Sequence, residues 1–365
     1  MDFTGTEASG DLGGLVRTIT ESVCTNEHQR ELDSADTRFD RVLWDKLIDA
    51  DILSAAAPEA LGGGDYGVLE QIAVLEALGR QLAAVPYLES AVLAAGVLAK
   101  FGSAELQQDW AVPAVAGSKI LTVALTGDMG DGPVQATDDG GGYRLTGSRT
   151  QVAYGPVADA FLVPADTGSG VSVFLVSAAD AGVTVTPLNT TGFGSVAHLE
   201  LADVAVGADR VVGGAEAVDW LTTRQTLGLS AFQLGVLARA LEMTAEYARE
   251  REQFDRPIGS FQAVAQRLAD GYIDVKGLRL TLTQAAWRLS EDLPADVDVR
   301  TAAFWAAEAG HRVAHTTVHV HGGVGIDTDH PVHRYFLAAK QTEFATGSAT
   351  GQLLVIGREL ADIPA

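Results

Sequence analysis

The sequence predicts an α+β protein in which a sheet domain is set between two helical ones. Apolar residues recur at helical spacing over the first and last thirds of the chain. The middle third replaces that pattern with short or alternating apolar runs cut by Gly, Asp and Pro. A chain of 365 residues is long enough for roughly two to three domains with buried cores. The expected boundaries are 1–118 for an N-terminal helical domain, 119–214 for a β-domain and 215–365 for a C-terminal helical domain.

In the first domain, Phe39, Leu43, Leu47 and Ile48, then Ile72, Val74, Leu75 and Leu78, form apolar stripes on helices. Pro58 and the run Gly62, Gly63, Gly64 punctuate them, and Gly96 and Gly102 mark later helix ends. From Ile120 to about Val212 the runs ILTVAL, YRLTG, AFLVPA, VSVFLV, GVTVTPL and AHLELADVAV read as strands. The Gly and Asp patch from Gly127 to Gly142 reads as solvated turns, because Asp128, Asp131, Asp138 and Asp139 would repel a phosphate. After Gly214 long helical stripes return at Leu227–Tyr247, Val264–Trp287 and Ala302–Val318. Trp287, Trp305 and the leucines of LRLTLTQAAW read as packing between the helices of a bundle.

A net charge of −23 argues against nucleic acid or an anionic membrane as partner, because the field of the whole chain repels phosphates. Any phosphate site must therefore be locally basic. Cys24 is the only cysteine, which rules out an intrachain disulfide and a thiolate metal cluster and suits a reducing cytoplasm. The N-terminus lacks the basic and apolar regions of a signal peptide, and the apolar helical runs are too short to span a membrane. His311, His315 and His319 share one helix face, but no acidic or cysteine ligand is placed beside them, so they read as packing or interface histidines and no metal is expected. Glu242, Glu246, Glu250 and Glu252 among Arg239, Arg249 and Arg251 read as a salt-bridged exposed face.

The locally basic candidate is REREQFDRPIGSFQAVAQRLAD, from Arg249. A helix is expected to end before Pro257, placing Arg251 at its terminus beside Phe254. An arginine fork there can take a pyrophosphate by two parallel hydrogen bonds, and a neighbouring ring can cover an adenine or ribose. The string Arg251, Gln253, Phe254, Pro257, Ile258, Phe261, Gln262, Ala263 resembles the arginine-x-x-phenylalanine signature of the acyl-CoA dehydrogenase family and the helix start after it. VHVHGGVGIDTDHPVHRYFLAAK, from Val318, is similar to that family's glutamine-x-x-glycine-glycine-x-glycine segment, with His319 where glutamine is usual. PEALGGGDYG, YRLTGSRTQVAYGPVADAFLV and the C-terminal helix extend the resemblance over nearly the whole chain.

The resemblance implies the family's fold, with a C-terminal four-helix bundle, and FAD as cofactor. Arg251, Gln253, Phe254, Ile258, Phe261, His319, Gly322 and Gly323 become cofactor-binding residues, reaching across a dimer interface to a partner's FAD. The catalytic base is missing. The family's usual glutamate position reads Thr346 and its alternative position reads Gln225 and Thr226, none of which is a carboxylate. Of the family's flavin-ring contacts, Gln151, Val152 and Ala153 replace one element, and only Thr126 survives of the other, which reads Thr126, Gly127, Asp128.

The chain resembles the base-lacking subunit of the heterotetrameric (α2β2) acyl-CoA dehydrogenases that actinobacteria use on steroid side chains. That implies a related partner subunit carrying the glutamate, a bulky acyl-CoA substrate, expected to be a steroid thioester, and an electron-transfer acceptor. Two alternatives stand beside it: a self-sufficient dehydrogenase with a relocated base, for which Glu343 is the candidate, and a non-enzymatic assembly protein on the same fold.

Overall fold

A computed structural model describes residues 3, 5–127, 132–191 and 194–361. Asp128 and Asp131 of the predicted acidic turns lie outside the described residues. The patch is not all turn, because Val134–Asp138 form a sheet strand with Val134 and Ala136 buried. Only its end is a solvated turn, where Asp138 and Asp139 accept hydrogen bonds from the Gly140 and Gly141 backbone N–H groups at 2.7 and 3.4 Å.

The N-terminal helices are α1 (Glu7–Val23), α2 (Asn26–Asp33), α3 (Arg41–Asp49), α4 (Ile52–Ala55), α5 (Val68–Arg80), α6 (Ala95–Phe101), α7 (Ala104–Leu106) and α8 (Val112–Val115). Thr6, Thr25, Asp40 and Ser103 cap α1, α2, α3 and α7, each accepting a hydrogen bond from an otherwise unpaired first-turn N–H. A π-helical segment, Tyr87–Ala94, runs straight into α6. Of the predicted stripes, Leu43, Leu47, Val74, Leu75 and Leu78 are buried in the core, while Phe39, Ile48 and Ile72 are only partly buried against it.

The middle sheet has the strand order β6–β7–β3–β2–β4–β5–β8, with β1 (Leu121–Val123) pairing in parallel to β4 (Ala160–Asp166). The others are β2 (Val134–Asp138), β3 (Gly142–Ala153), β5 (Val171–Ser177), β6 (Val183–Pro187), β7 (Val196–Gly207) and β8 (Val211–Gly213). β3 and β7 pair antiparallel with a register shift between Arg149 and Val152. That bulge puts Gln151 at φ 52° and turns it out of the strand's alternation.

The C-terminal helices are α9 (Ala215–Glu250), α10 (Gln262–Ser290), α11 (Asp296–His321), α12 (Val332–Ala345) and α13 (Ser348–Ala361). α9 to α12 form the four-helix bundle, and α13 packs against α11. Gln233, fully buried, ties three of the helices by donating from Nε2 to the carbonyls of Ala306 and Ala339 at 3.3 and 3.0 Å. Trp305 packs over Gly277 from the neighbouring helix, as the packing reading of that tryptophan expects.

α5 lies across α9 at backbone contact. A Cβ on Gly235 would stand 2.0 Å from the Glu76 carbonyl oxygen, and one on Gly79 would stand 2.1 Å from that of Phe232. Arg279 joins the same crossing with a two-pronged pair to Glu76 at 2.7 and 2.8 Å. Gly235→Ala must push two helices apart, so it is expected to cost about 1–3 kcal/mol, read as a lowered melting temperature. An unchanged melting temperature would show that this crossing yields freely.

Candidate functional site

The predicted residues fall at two places separated by the length of α9. Near its N-terminal half, a cavity of about 210 Å³ opens at the junction of the N-terminal helices, the sheet and the bundle. Leu75, Leu78, Val85, Leu88, Leu229 and Phe232 make it largely apolar, and Thr126, Gln151, Gln225 and Gln341 line it with neutral polar groups. Val152 does not reach it and is buried in the core of the sheet domain instead.

Neither expected base position supplies an acid here. Gln225 lines the cavity, whereas the Thr226 hydroxyl turns back to the Thr222 carbonyl at 2.7 Å. The Thr346 hydroxyl donates within its own helix end, to the carbonyls of Thr342 and Glu343 at 2.9 and 3.1 Å. Glu343 is held elsewhere: Lys340 lies 2.5 Å from its carboxylate and His311 lies 3.3 Å away. It does not line the cavity, which removes the one relocated base the sequence offered.

The carboxylate that does line the cavity is Glu89, on the π-helical segment, and sequence reasoning missed it. Burial pushes its pKa up to about 7. Tyr154 stands beside it with its own pKa raised by burial and by the Glu89 charge. A signal existed, because Glu89 is the only charged residue between Arg80 and Lys100. An isolated acid in so apolar a run is either exposed or poised in a cavity, and local pattern does not tell which.

The second place is the far end of α9. The helix ends at Glu250 with Arg251 as its C-cap, so Pro257 is not what stops it: the chain first makes a hairpin of β9 (Glu252–Gln253) and β10 (Arg256–Pro257). Phe254 and Asp255 form its turn at φ 57° and 62°. The Arg251 backbone is fixed by bonds with Tyr247 and Ile258, both 2.8 Å, while its exposed side chain makes no hydrogen bond or ion pair among the described residues. Phe254 is 86% exposed at the tip. Phe261 lies beneath it, edge-on at 6.1 Å, with the Arg256 guanidinium 4.2 Å over its ring. Gln253 is exposed in the hairpin, and Ile258, half-buried, opens the turn that follows it. A large ring held in solvent on a rigid turn is a shape suited to an external ligand or chain.

The second predicted motif comes to this same end. The ring of Tyr247, in the last turn of α9, stacks on buried His321 at the end of α11, with centroids 4.4 Å apart. His321 is desolvated there, and its pKa falls below the ordinary histidine value. His319 is exposed nearby, and Gly322, at φ 61°, turns the chain out of the helix. A Cβ on Gly322 or Gly323 would meet nothing within 4 Å, so backbone can be approached closely on this side. A ligand lying over Arg251 and the Gly322–Gly323 turn has donors, an aromatic cover and room.

Other predicted features resolve differently. Of the mixed-charge face, Arg239 pairs with Glu242 and Glu246 at 3.5 and 3.6 Å, while Arg249 and Arg251 make no ion pair among the described residues. His311 and His315 lie side by side at 4.6 Å, and His315 packs edge-on against Phe336. A larger polar cleft of about 570 Å³ contains none of the predicted residues, and Arg30, Arg38 and Arg334 are balanced there by Asp33, Asp36 and Asp329. Among the described residues no helix is long and apolar enough to cross a membrane.

Helical domains flank a sheet, and both the Gln225 cavity and the larger polar cleft open where the three meet. Residues 6–118 match the family described as "Acyl-CoA dehydrogenase, N-terminal domain", and residues 213–361 match "Acyl-CoA dehydrogenase, C-terminal domain". The chain belongs to the acyl-CoA dehydrogenase family, flavoprotein oxidoreductases that act on CH–CH bonds. It is 74% identical to acyl-CoA dehydrogenase FadE27 of Mycobacterium tuberculosis, over 100% of both chains. It superposes on a chain of the ChsE4-ChsE5 complex from Mycobacterium tuberculosis with a TM-score of 0.99 and 75% identity, covering 100% of each. A variant of the Tcur3481-Tcur3483 steroid acyl-CoA dehydrogenase matches at TM-score 0.92 and 37% identity over 98% of both chains. These matches support a hetero-oligomeric acyl-CoA dehydrogenase.

Proposed function

We propose that this chain is the base-lacking subunit of an α2β2 acyl-CoA dehydrogenase and completes the FAD site of its partner. The observation that carries this is the separation of the two places on α9. Gln225 and Arg251 are 26 residues apart on one helix, about 39 Å at 1.5 Å per residue. No single FAD bridges the chain's own cavity and its own arginine hairpin. Arg251, Gln253, Phe254, Ile258, Phe261, His319, Gly322 and Gly323 would therefore serve a flavin seated in another chain.

In that role Arg251 takes the pyrophosphate through its fork, Phe254 covers the adenosine, and the open Gly322–Gly323 backbone lets the nucleotide lie close. FAD supplies the acceptor for the β-hydrogen as hydride, and the α-proton goes to a carboxylate of the partner. Exposed apolar side chains on α10 and α13, among them Tyr272, Ile273, Leu353 and Leu354, offer surface for that partner. By likeness to the steroid dehydrogenase complexes, the substrate is a bulky acyl-CoA, a steroid side-chain thioester, and the electrons pass on to an electron-transfer acceptor.

Glu89 favours a second reading, in which the chain is self-sufficient and this carboxylate is the relocated base. One experiment separates the two: flavin absorbance and dehydrogenase activity of the chain purified alone and after co-expression with a related, glutamate-bearing subunit. The accessory role predicts a colourless, inactive chain alone and a yellow, active complex with about one FAD per unlike pair. A yellow chain active alone would establish the self-sufficient reading.

A further inference from the structure

A second groove, of about 260 Å³, lies on the other side of α9 and shares no lining residue with the cavity around Gln225. It runs between the loop before α5, the π-helical segment with α6, and the first turns of α9. Its floor is built from small residues, Ala57, Ala91, Ala95 and Ala99 among them, with Leu61 and Val68 as walls. Gly96 seats the Trp220 indole against α6, since a Cβ there would stand 2.6 Å from the ring. Gln71 is engaged on the wall, donating to the Ala56 carbonyl at 3.4 Å.

The charge at this groove opposes that of the molecule. The chain has 48 acidic residues against 25 Lys and Arg, yet no Asp or Glu lines the groove, and Arg224 and Lys100 do. Arg224 is half-buried, 5.5 Å above the Trp220 ring, and makes no hydrogen bond or ion pair among the described residues. Burial lowers its pKa, with the Asp292 charge acting against that shift from outside the groove lining. A desolvated guanidinium without a hydrogen-bonded counterion is costly, and an anion in the groove would offset that cost. Lys100 is exposed at the rim, its ammonium 5.9 Å from the Phe101 ring.

We propose that this groove binds an amphipathic monoanion, a carboxylate gripped by Arg224 at the rim with its aliphatic body laid along the alanine floor. The planar fork matches a carboxylate, and the apolar floor favours an anion with an aliphatic body over a compact polar one. The site is independent of the flavin end, about 40 Å away along α9.

The test is calorimetric titration of the full chain, purified alone or with a co-expressed partner, using sodium decanoate and 1-decanol. Decanoate is expected to bind once per chain and about tenfold tighter than decanol. Arg224→Gln should weaken decanoate about tenfold, and Arg224→Lys should restore much of the loss. Should Arg224→Gln fail to fold, Ala99→Phe narrows the channel from its rim without touching the arginine and should weaken both ligands. The proposal is overturned by equal affinity for the acid and the alcohol, by no saturable binding at millimolar decanoate, or by binding that neither Arg224→Gln nor Ala99→Phe alters.

Discussion

Replacing Arg251 with alanine is expected to yield an assembled complex that loses its FAD on desalting and regains activity only when FAD is added in excess. The exposed guanidinium makes no hydrogen bond or ion pair within its own chain among the described residues, so its removal is expected to leave the fold and the hairpin in place. The loss therefore falls on the ligand. A charge-assisted bond to a phosphate contributes about 1.5–3 kcal/mol, which corresponds to FAD binding weakened about ten- to a hundredfold. Arg251→Lys keeps the charge without the fork and should fall between. Flavin content measured by absorbance, with size-exclusion chromatography to confirm assembly, decides the matter. A complex of Arg251→Ala with full flavin and full activity would show that the hairpin does something else, and the assembly-protein alternative would then gain ground.

Arg251 and Phe254 were legible in the sequence because their arrangement is local. A helix end, a tight turn and a helix start within a dozen residues leave few conformations, and the left-handed turn at Phe254–Asp255 completes a geometry the motif already implied. What pattern does not carry is the distance between this hairpin and Gln225. That distance follows from α9 being one uninterrupted helix of 36 residues, which Gly228 and Gly235 in its midst would argue against on propensity alone. Those glycines are there for packing, since Gly235 admits the backbone of α5. The sequence also made Pro257 the helix stop, whereas the chain leaves the helix at Arg251 to form a hairpin that needs its own N–H groups.

Glu89 lay beyond sequence reasoning for a different reason. Whether an acid in an apolar run faces solvent or a cavity depends on α5 and, from far along the chain, β3 and α9 arriving around it. Glu343 shows the converse: adjacency to Thr346 made it a candidate base, but one helical turn directs it to Lys340 and His311. Position along a helix specifies a face, and a face acquires chemistry only from what packs against it.

That difference gives Glu89 the second large expected effect, and its sign follows from linkage. The carboxyl titrates near the ordinary ~4.3 in the unfolded chain, and it is pushed up to about 7 in the folded one. Below the unfolded value both states are protonated and the residue has no effect on stability. As pH rises from ~4.3 towards about 7, the unfolded state ionises first, and folding is progressively disfavoured; above that window the penalty is constant. The whole shift would amount to roughly 4 kcal/mol, and because Glu89 is only partly buried and the cavity admits solvent to part of the side chain, about 1–2 kcal/mol is expected. Glu89→Gln removes the penalty, so the variant should melt several degrees above wild type at pH 8 and together with it near pH 4.5. If the two melting curves keep the same separation at every pH, the carboxyl is not held in its raised state. The same protein tests the role of the cavity. In the accessory role, Glu89→Gln in the assembled complex gains stability at pH 8 with turnover unchanged, because the reacting α-proton is taken in the partner's site. A loss of turnover of a hundredfold or more, at full flavin content, would instead make Glu89 a base in its own right, since proton transfer by a positioned carboxylate is worth about 10²–10⁴ in rate.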